Sequence, residues 1–453
     1  MSSLSIQTEK FSKQNRRWNR THDCVVGGDQ MAAQAKAGHY LIRPSGYSDE
    51  EFDAYCDQTP FFEATARTLG GIMGQVFRED PTATTDSEAV EDFLATVTIE
   101  GDNLPEFAAM AFREAAITDF AAILVFWQEA ASRPFLALYQ ADDILDLQYG
   151  IVGGRKGLIY ARLRDDADTI RELSIVNGAA QVVMHTRDGT VWTASEPVII
   201  SMGNRPLTSL PLFVRGDSTT TSLLDPVAVT AVKHYQLQAR HYDGLAWTTT
   251  PRVVMIGAER EVDANGNEIP LSMAPGAVWW LPASENGKSA DAKIIQASAE
   301  LPGVRAELDR LEAHMAALGS RILAGEKAGV EAADTVAMRH SGENASLAGV
   351  ARSVSTWLEK AINLMLEWAG LDTVEFALNT DFIPAPWTDS EVATLATDVR
   401  ESRLSLESYH NMMVDGGWRD PSVSWEEERS RLEGEANILP PYDPAVEPVA
   451  QVE

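Results

Sequence analysis

The clearest pattern of apolar and polar positions lies past the middle of the chain. Leu301, Val304, Leu308, Leu311, Met315, Leu318 and Ile322 alternate spacings of three and four, which predicts a helix with one narrow apolar seam. Arg305, Glu307, Asp309, Arg310 and Glu312 cover its other faces, so this helix packs along a line and needs a partner beside it. A preceding helix is signalled at Asp225-Pro226 and runs to about Trp247. Asp accepts the free amides of the first turn, and Pro at the first helical position gives up no needed donor. Between the two helices, Arg252–Ile256, Ala277–Leu281 and Ala292–Ile295 read as strands, with Asn265-Gly266 and Asn286-Gly287 as turns.

Toward the N-terminus, a helical pattern from Ser48 to Phe77 carries Asp49, Glu50 and Glu51 in its first turn, where acids favour the positive helix end. A second helix covers Leu104 to Thr118. Residues 120–215 change to short β-type runs such as Ala122–Trp127, Gln181–His185 and Pro197–Ser201, punctuated by Asn177-Gly178 and Asp188-Gly189. After Gly325 a polar stretch with few large apolar anchors reads as a mobile loop. A helix follows from about Ser346 to Trp368, closed by Gly370, then a short strand at Val374–Leu378 and helices near 388–402, 406–413 and 425–434. The Pro- and acid-rich end from Leu439 reads as an extended tail.

Composition narrows the function. The 453 residues are 45% apolar and 23% charged, typical of globular chains divided into a few regions. No apolar run reaches the roughly 20 residues of a spanning helix, and the N-terminus lacks a signal core. Cys24 and Cys56 are too few for a disulfide framework, which fits a reducing cytoplasm. A net charge of −30 disfavours sequence-reading DNA binders. The charge is uneven: residues 1–46 are net +4, 47–150 net −17 and 388–453 net −10.

Motifs of catalysis are not evident. His22, His39, His185, His234, His241, His314, His340 and His410 form no metal-type grouping with Cys or one another, so no metal and no cofactor is expected. Gly287-Lys288-Ser289 imitates the end of a phosphate loop, but Pro282 stands where its first Gly belongs. Gly70, Gly71 and Gly74 lie within a helical pattern and not after a strand. Asp142-Asp143 needs a pocket before it can serve as an acid–base pair. Trp279-Trp280 puts one indole on each face of its strand, and Trp is enriched at protein interfaces.

The order of parts, together with Tyr40–Tyr55, Phe61–Pro81, Ser222-Leu-Leu-Asp-Pro226 and Leu404–Tyr409, resembles the portal proteins of tailed bacteriophages and prophages. The resemblance spans roughly residues 10–435 and rests on the succession of elements, not on one short motif. It implies an α+β portal-type fold: a helical and β wing with a basic N-terminal arm (1–222), a first stem helix (223–248), a small α/β clip (249–299) and a second stem helix (300–324). A channel loop (325–345), a long helix and wing-return strand (346–387), a helical crown (388–435) and a disordered acidic Pro-rich tail (436–453) complete it. The family forms rings of twelve at one capsid vertex, through which double-stranded DNA passes without sequence preference.

On that resemblance Glu326, Lys327, Glu331, Asp334, Arg339 and His340 line the channel, and Trp280, Glu285, Asn286 and Lys288 of the clip meet the terminase large subunit and the head–tail adaptor. Leu308, Leu311, Met315, Leu318 and Ile322 pack the stem. Lys10, Lys13, Arg16, Arg17 and Arg20 either become ordered in the ring, against capsid or scaffold protein, or solubilise an arm. The implied location is the virion, with assembly in the host cytoplasm, no membrane and no catalysis. Two other classes compete: a cytoplasmic α+β enzyme, which requires a convergent polar pocket, and a non-viral assembly protein that forms no closed ring.

Overall fold

The computed structural model describes residues 3–217, 219–249, 252–256, 291–295, 302–323, 333–380, 382, 389–401, 403–415, 419 and 423–436. The chain divides into two units, Met1–Thr380 and Asp381–Glu453.

In the first unit the basic N-terminal stretch is helical. Helix α1 (Glu9–Val26) buries Phe11, Trp18, Thr21, Cys24 and Val25, while Lys10, Lys13 and Arg16 stay exposed. Phe11 and Trp18 stack on Phe120, with ring centroids 5.4 and 5.1 Å apart. α2 (Gly28–Lys36) follows directly. The single helical pattern read over Ser48–Phe77 is two helices, α3 (Asp49–Gln58) and α4 (Ala64–Val76). Pro60 supplies no amide for a continuous ladder and disfavours the helical conformation of Thr59. A reciprocal capping box between Ser48 and Glu51 starts α3.

Strand β1 (Thr82–Thr84) and helices α5 (Glu88–Leu94) and α6 (Leu104–Ile117) lead to the sheets. α6 opens with a capping box between Asn103 and Glu106 and buries Phe107, Ala108, Ala111 and Phe112. Near its end, Glu114 is 5% exposed, and its Oε1 accepts a hydrogen bond from Gln140 Nε2 at 3.2 Å. Burial pushes the Glu114 carboxyl up to about 7; Arg113 opposes the rise, and Asp142 and Asp143 add to it.

A carboxyl whose folded pKa is raised favours the fold while it is protonated in the native state. That stability is complete below the unfolded value of 4.5 and lost as pH rises through about 7. Glu114→Gln keeps the neutral form at all pH values. It should therefore raise stability at pH 8 by roughly 3 kcal/mol and leave it nearly unchanged at pH 4.5. Thermal unfolding at the two pH values measures this; an equal shift at both would rule it out.

Two antiparallel sheets follow. β2 (Ala121–Gln128), β3 (Arg133–Tyr139) and β12 (Leu212–Arg215) form a three-stranded sheet in the order β12-β2-β3. β4 (Ile144–Val152), β5 (Arg155–Arg164), β6 (Thr169–Val176), β7 (Ala179–Asp188) and β8 (Val191–Ala194) form a meander, and β9 (Val198–Ile199) pairs with β7 as well. The β6–β7 and β7–β8 turns carry Asn177-Gly178 and Gly189 with positive φ, as their turn chemistry predicts. β10 (Ser201–Met202) and β11 (Arg205–Pro206) make a small hairpin. One core cluster gathers Phe11, Trp18 and Phe120 with Leu124, Tyr139, Ile144, Leu163, Leu173 and Leu212, which joins α1 to both sheets.

Then come α7 (Asp225–Thr249), the antiparallel pair β13 (Arg252–Ile256) and β14 (Asp291–Ile295), and α8 (Pro302–Leu323). The predicted strand at 277–281 lies outside the described residues. α9 (Ala333–Ala369) begins well before the predicted Ser346, so part of the stretch read as loop is helix. That segment has few large apolar residues, but it is rich in Ala and places Asp334 in the first turn, both favourable to helix. α9 crosses β2, β3 and β12. β15 (Glu375–Ala377) then returns the chain to β1.

The second unit holds α10 (Asp389–Arg400), α11 (Leu406–Asp415) and α12 (Trp425–Ala436). α11 packs on both of its neighbours. His410 Nε2 lies 3.1 Å from the Val423 carbonyl and its ring 5.8 Å from that of Trp425. Arg419 forms an ion pair with Glu428.

Candidate functional site

The candidate site is the pair of helices α7 and α8 and the segments that join them to β13–β14 and α9. α7 is fixed at its N-terminus by charge. Arg20 Nη2 of α1 lies 2.6 Å from Asp225 Oδ1, both side chains being mostly buried, and Arg17 donates to the carbonyls of Thr219 and Thr220 just upstream. Two members of the basic stretch thus anchor the start of this helix, a role its charge pattern alone does not reveal. Further along, Val227, Ala228, Ala231, Tyr235 and Ala239 are buried in a second core cluster with Cys24, Met31, Phe52 and Met315. Burial in that cluster pushes the Cys24 thiol up to about 12.

The α8 seam packs as its spacing requires. Leu308, Leu311 and Met315 are buried and Leu318 packs against the same cluster as Met315; the side chain of Ile322 lies outside the described residues. The seam meets α7, and α4 and α9 also pack on α8. At Gly319 an added Cβ would stand 3.0 Å from Thr68 Oγ1 of α4, so the close approach of these helices depends on the missing side chain. His234, 3% exposed, places Nε2 3.2 Å from Glu312 Oε1 and ties α7 to α8. His241, seven residues on, takes no part in that link: its ring lies 6.2 Å from Tyr242.

The faces of the pair turned away from this core stay open. Arg305, Asp309, Arg310, Ala313, His314 and Ala317 of α8, and Lys233, Gln236, Arg240 and Tyr242 of α7, are exposed. Lys233, Arg240 and His314 rim a shallow groove between the helices. Arg310 in the same groove is held by Glu307 through hydrogen bonds of 2.7 and 2.6 Å. In a chain of net charge −30 this is a locally basic stripe. The seven-residue spacing of Lys233 and Arg240 on one helix is the sequence signal that marks it.

Of the other residues singled out from the sequence, Asp334, Arg339 and His340 lie on the first turns of α9, with side chains outside the described residues. Glu326, Lys327 and Glu331, and Trp280, Glu285, Asn286 and Lys288, fall wholly outside them. Among the described residues, no group of three His, Cys, Asp or Glu is placed to hold a metal ion, and no helix is long and apolar enough to cross a membrane. Cys24 and Cys56 are buried free thiols.

Residues 223–369, which take in α7, β13, β14, α8 and α9, match a family described as a domain of unknown function, DUF4055. Among curated proteins nothing matches. Among solved structures the chain is similar to one from the neck of an empty GTA particle computed with C6 symmetry, at 13% identity and a TM-score of 0.38, covering 83% of this chain and 96% of that one. It is similar to a chain from the virion of a native gene transfer agent (GTA) particle, at 12% identity and a TM-score of 0.39, covering 85% and 98%. A chain from the neck of a native GTA particle computed with C12 symmetry gives 13% identity and a TM-score of 0.39, covering 77% and 89%.

Proposed function

We propose that this protein is a portal protein: a ring of identical subunits at one vertex of a virus-like capsid, through which double-stranded DNA enters and leaves. The observation that carries this reading is the α7–α8 pair. Each helix is long, the chain between them carries the β13–β14 pair, and Leu308, Leu311, Met315 and Leu318 of the α8 seam pack within their own subunit while the opposite faces remain exposed. In a ring, an exposed polar face meets either a neighbouring copy or the lumen. The order of elements along the chain, which resembles that of portal proteins, supports the same reading.

On this reading the protein is a conduit and not an enzyme. DNA is guided by charge: the net acidity keeps the wall from holding phosphate along its whole length, and a few cations repeated around the ring make transient contacts. Lys327, in the stretch of chain between α8 and α9, and Arg339 of α9 take that part, with Lys233 and Arg240 along α7. The segment between α7 and α8 that includes Trp280, Glu285, Asn286 and Lys288 docks the terminase large subunit during packaging and the head–tail adaptor afterwards.

Negative-stain images of the purified protein test the proposal. Closed rings with a central channel, about twelve-fold in symmetry, are expected. Particles that stay monomeric at all concentrations, or that assemble without closing, would remove the portal reading in favour of an enzyme or a non-viral assembly protein.

A further inference from the structure

Strand β12 is the outer strand of its sheet, and among the described residues it pairs only with β2. The register opposes Leu212 to Leu124 and Phe213 to Ile123, and Val125 N–H donates to the Pro211 carbonyl at 2.9 Å. In an antiparallel ladder the direction of the main-chain groups alternates. Residues 211, 213 and 215 therefore address β2, and the amides and carbonyls of Leu212 and Val214 point away from it. Natural sheets blunt such an edge with charge, proline, a bulge or a covering element, yet the two outward positions here are Leu and Val.

The edge opens on a groove of about 540 Å³. Tyr149 and Leu158 of the β4–β5 hairpin form one wall, and Ser353, Thr356, Trp357 and Lys360 of α9 form the floor. The wall on the β12 side is held in place: Trp357 Nε1 donates to the Phe213 carbonyl at 2.8 Å. Arg215 cannot serve a ligand, because its guanidinium is buried, lies 3.0 Å from Asp119 Oδ1 and donates to Ser353 Oγ at 2.8 Å. Lys360, by contrast, is exposed, and no ion pair among the described residues involves it.

We propose that this groove receives an extended arm of a partner protein, which adds itself to β12 as a further strand. The unpaired main-chain groups require an occupant with free amides and carbonyls of its own, which an extended chain has and a helix lacks. The groove is the size of a small-ligand or short-peptide site, and walls on both sides favour a single strand over the edge of a second folded copy. Alternate side chains of the arm meet Tyr149, Leu158 and Trp357, and a carboxylate on it pairs with Lys360. This proposal is independent of ring formation.

A fluorescent hexapeptide, Thr-Val-Glu-Val-Thr-Val with blocked ends, titrated into the full-length protein and read by polarisation, tests it. Two companion peptides carry either N-methyl groups on every amide, so that neither edge can donate, or Lys in place of Glu. Saturable binding of the parent peptide is expected, with at least about tenfold weaker binding to Val214→Pro, which removes an outward amide while sparing the ladder to β2. Lys360→Glu should weaken the Glu peptide and prefer the Lys peptide. The N-methyl peptide should fail on the unaltered protein, which keeps the test decisive if Val214→Pro does not fold. Absence of saturable binding, or equal binding of the N-methyl peptide, overturns the proposal. So does oligomerisation that Val214→Pro abolishes without any peptide binding, because the edge would then belong to a second copy.

Discussion

Gly216→Ala should destabilise the first unit by roughly 3–5 kcal/mol, at the upper end of what one substitution does. Gly216 has φ +73, and a Cβ built there would sit 1.8 Å from the backbone carbonyl oxygen of Asp119. The left-handed conformation alone costs a non-glycine residue about 1–2 kcal/mol; the rest comes from the collision, since a backbone atom cannot swing aside as a side-chain tip does. Asp119 is itself constrained, with φ 53. Its carboxylate holds the buried Arg215, which reaches on to Ser353 of α9. Relief of the clash by moving Asp119 would therefore strain an ion pair that is costly to break when buried. Gly189→Ala is the control: its φ is +60, but nothing lies within 4 Å of the added Cβ, so the cost should stay near 1 kcal/mol. Chemical unfolding of both variants measures the difference. Equal, small losses would show that the turn after β12 does not approach Asp119 so closely.

None of that junction is legible in the sequence, because Asp119, Arg215, Gly216 and Ser353 meet only through the sheet and α9. The same holds for Arg20 and Asp225, 205 residues apart, although Asp225-Pro226 announces the helix start they secure. Local physics is readable: the α8 seam, the turns at Asn177-Gly178 and Gly189, and the α6 cap each follow from neighbouring residues. α1 escapes such a reading because Phe11, Trp18 and Val25, at helical spacing, are interleaved with Lys13, Arg16, Arg17 and Arg20, and the charge masks the stripe. Pro60 is the opposite case, a visible break that the helical periodicity on either side of it obscures. The basic stripe of α7 and α8 needs both helices in place before Lys233, Arg240 and His314 stand on one groove.

The largest functional effect should come from residues 328–340. Exchange for a Gly/Ser linker of equal length removes Glu331, Asp334, Arg339 and His340. The buried anchors of α9 that follow, Leu347, Ala351, Val354, Leu358 and Ile362, and the seam of α8 are untouched, so on the portal reading rings should still assemble. In a ring each removed charge is lost as many times as there are subunits. Belts of like charge within about 10 Å of the duplex act on it with little screening. Guidance by a charged, low-dielectric passage changes encounter rates by factors of roughly 10 to 1,000, so nuclease-protected DNA per particle should fall by about tenfold or more while the ring count holds. Normal filling by rings that carry the linker would separate assembly from this segment and deny it any part in the channel. Loss of the rings themselves would instead make 328–340 an assembly element, with contacts to a neighbouring subunit in place of DNA.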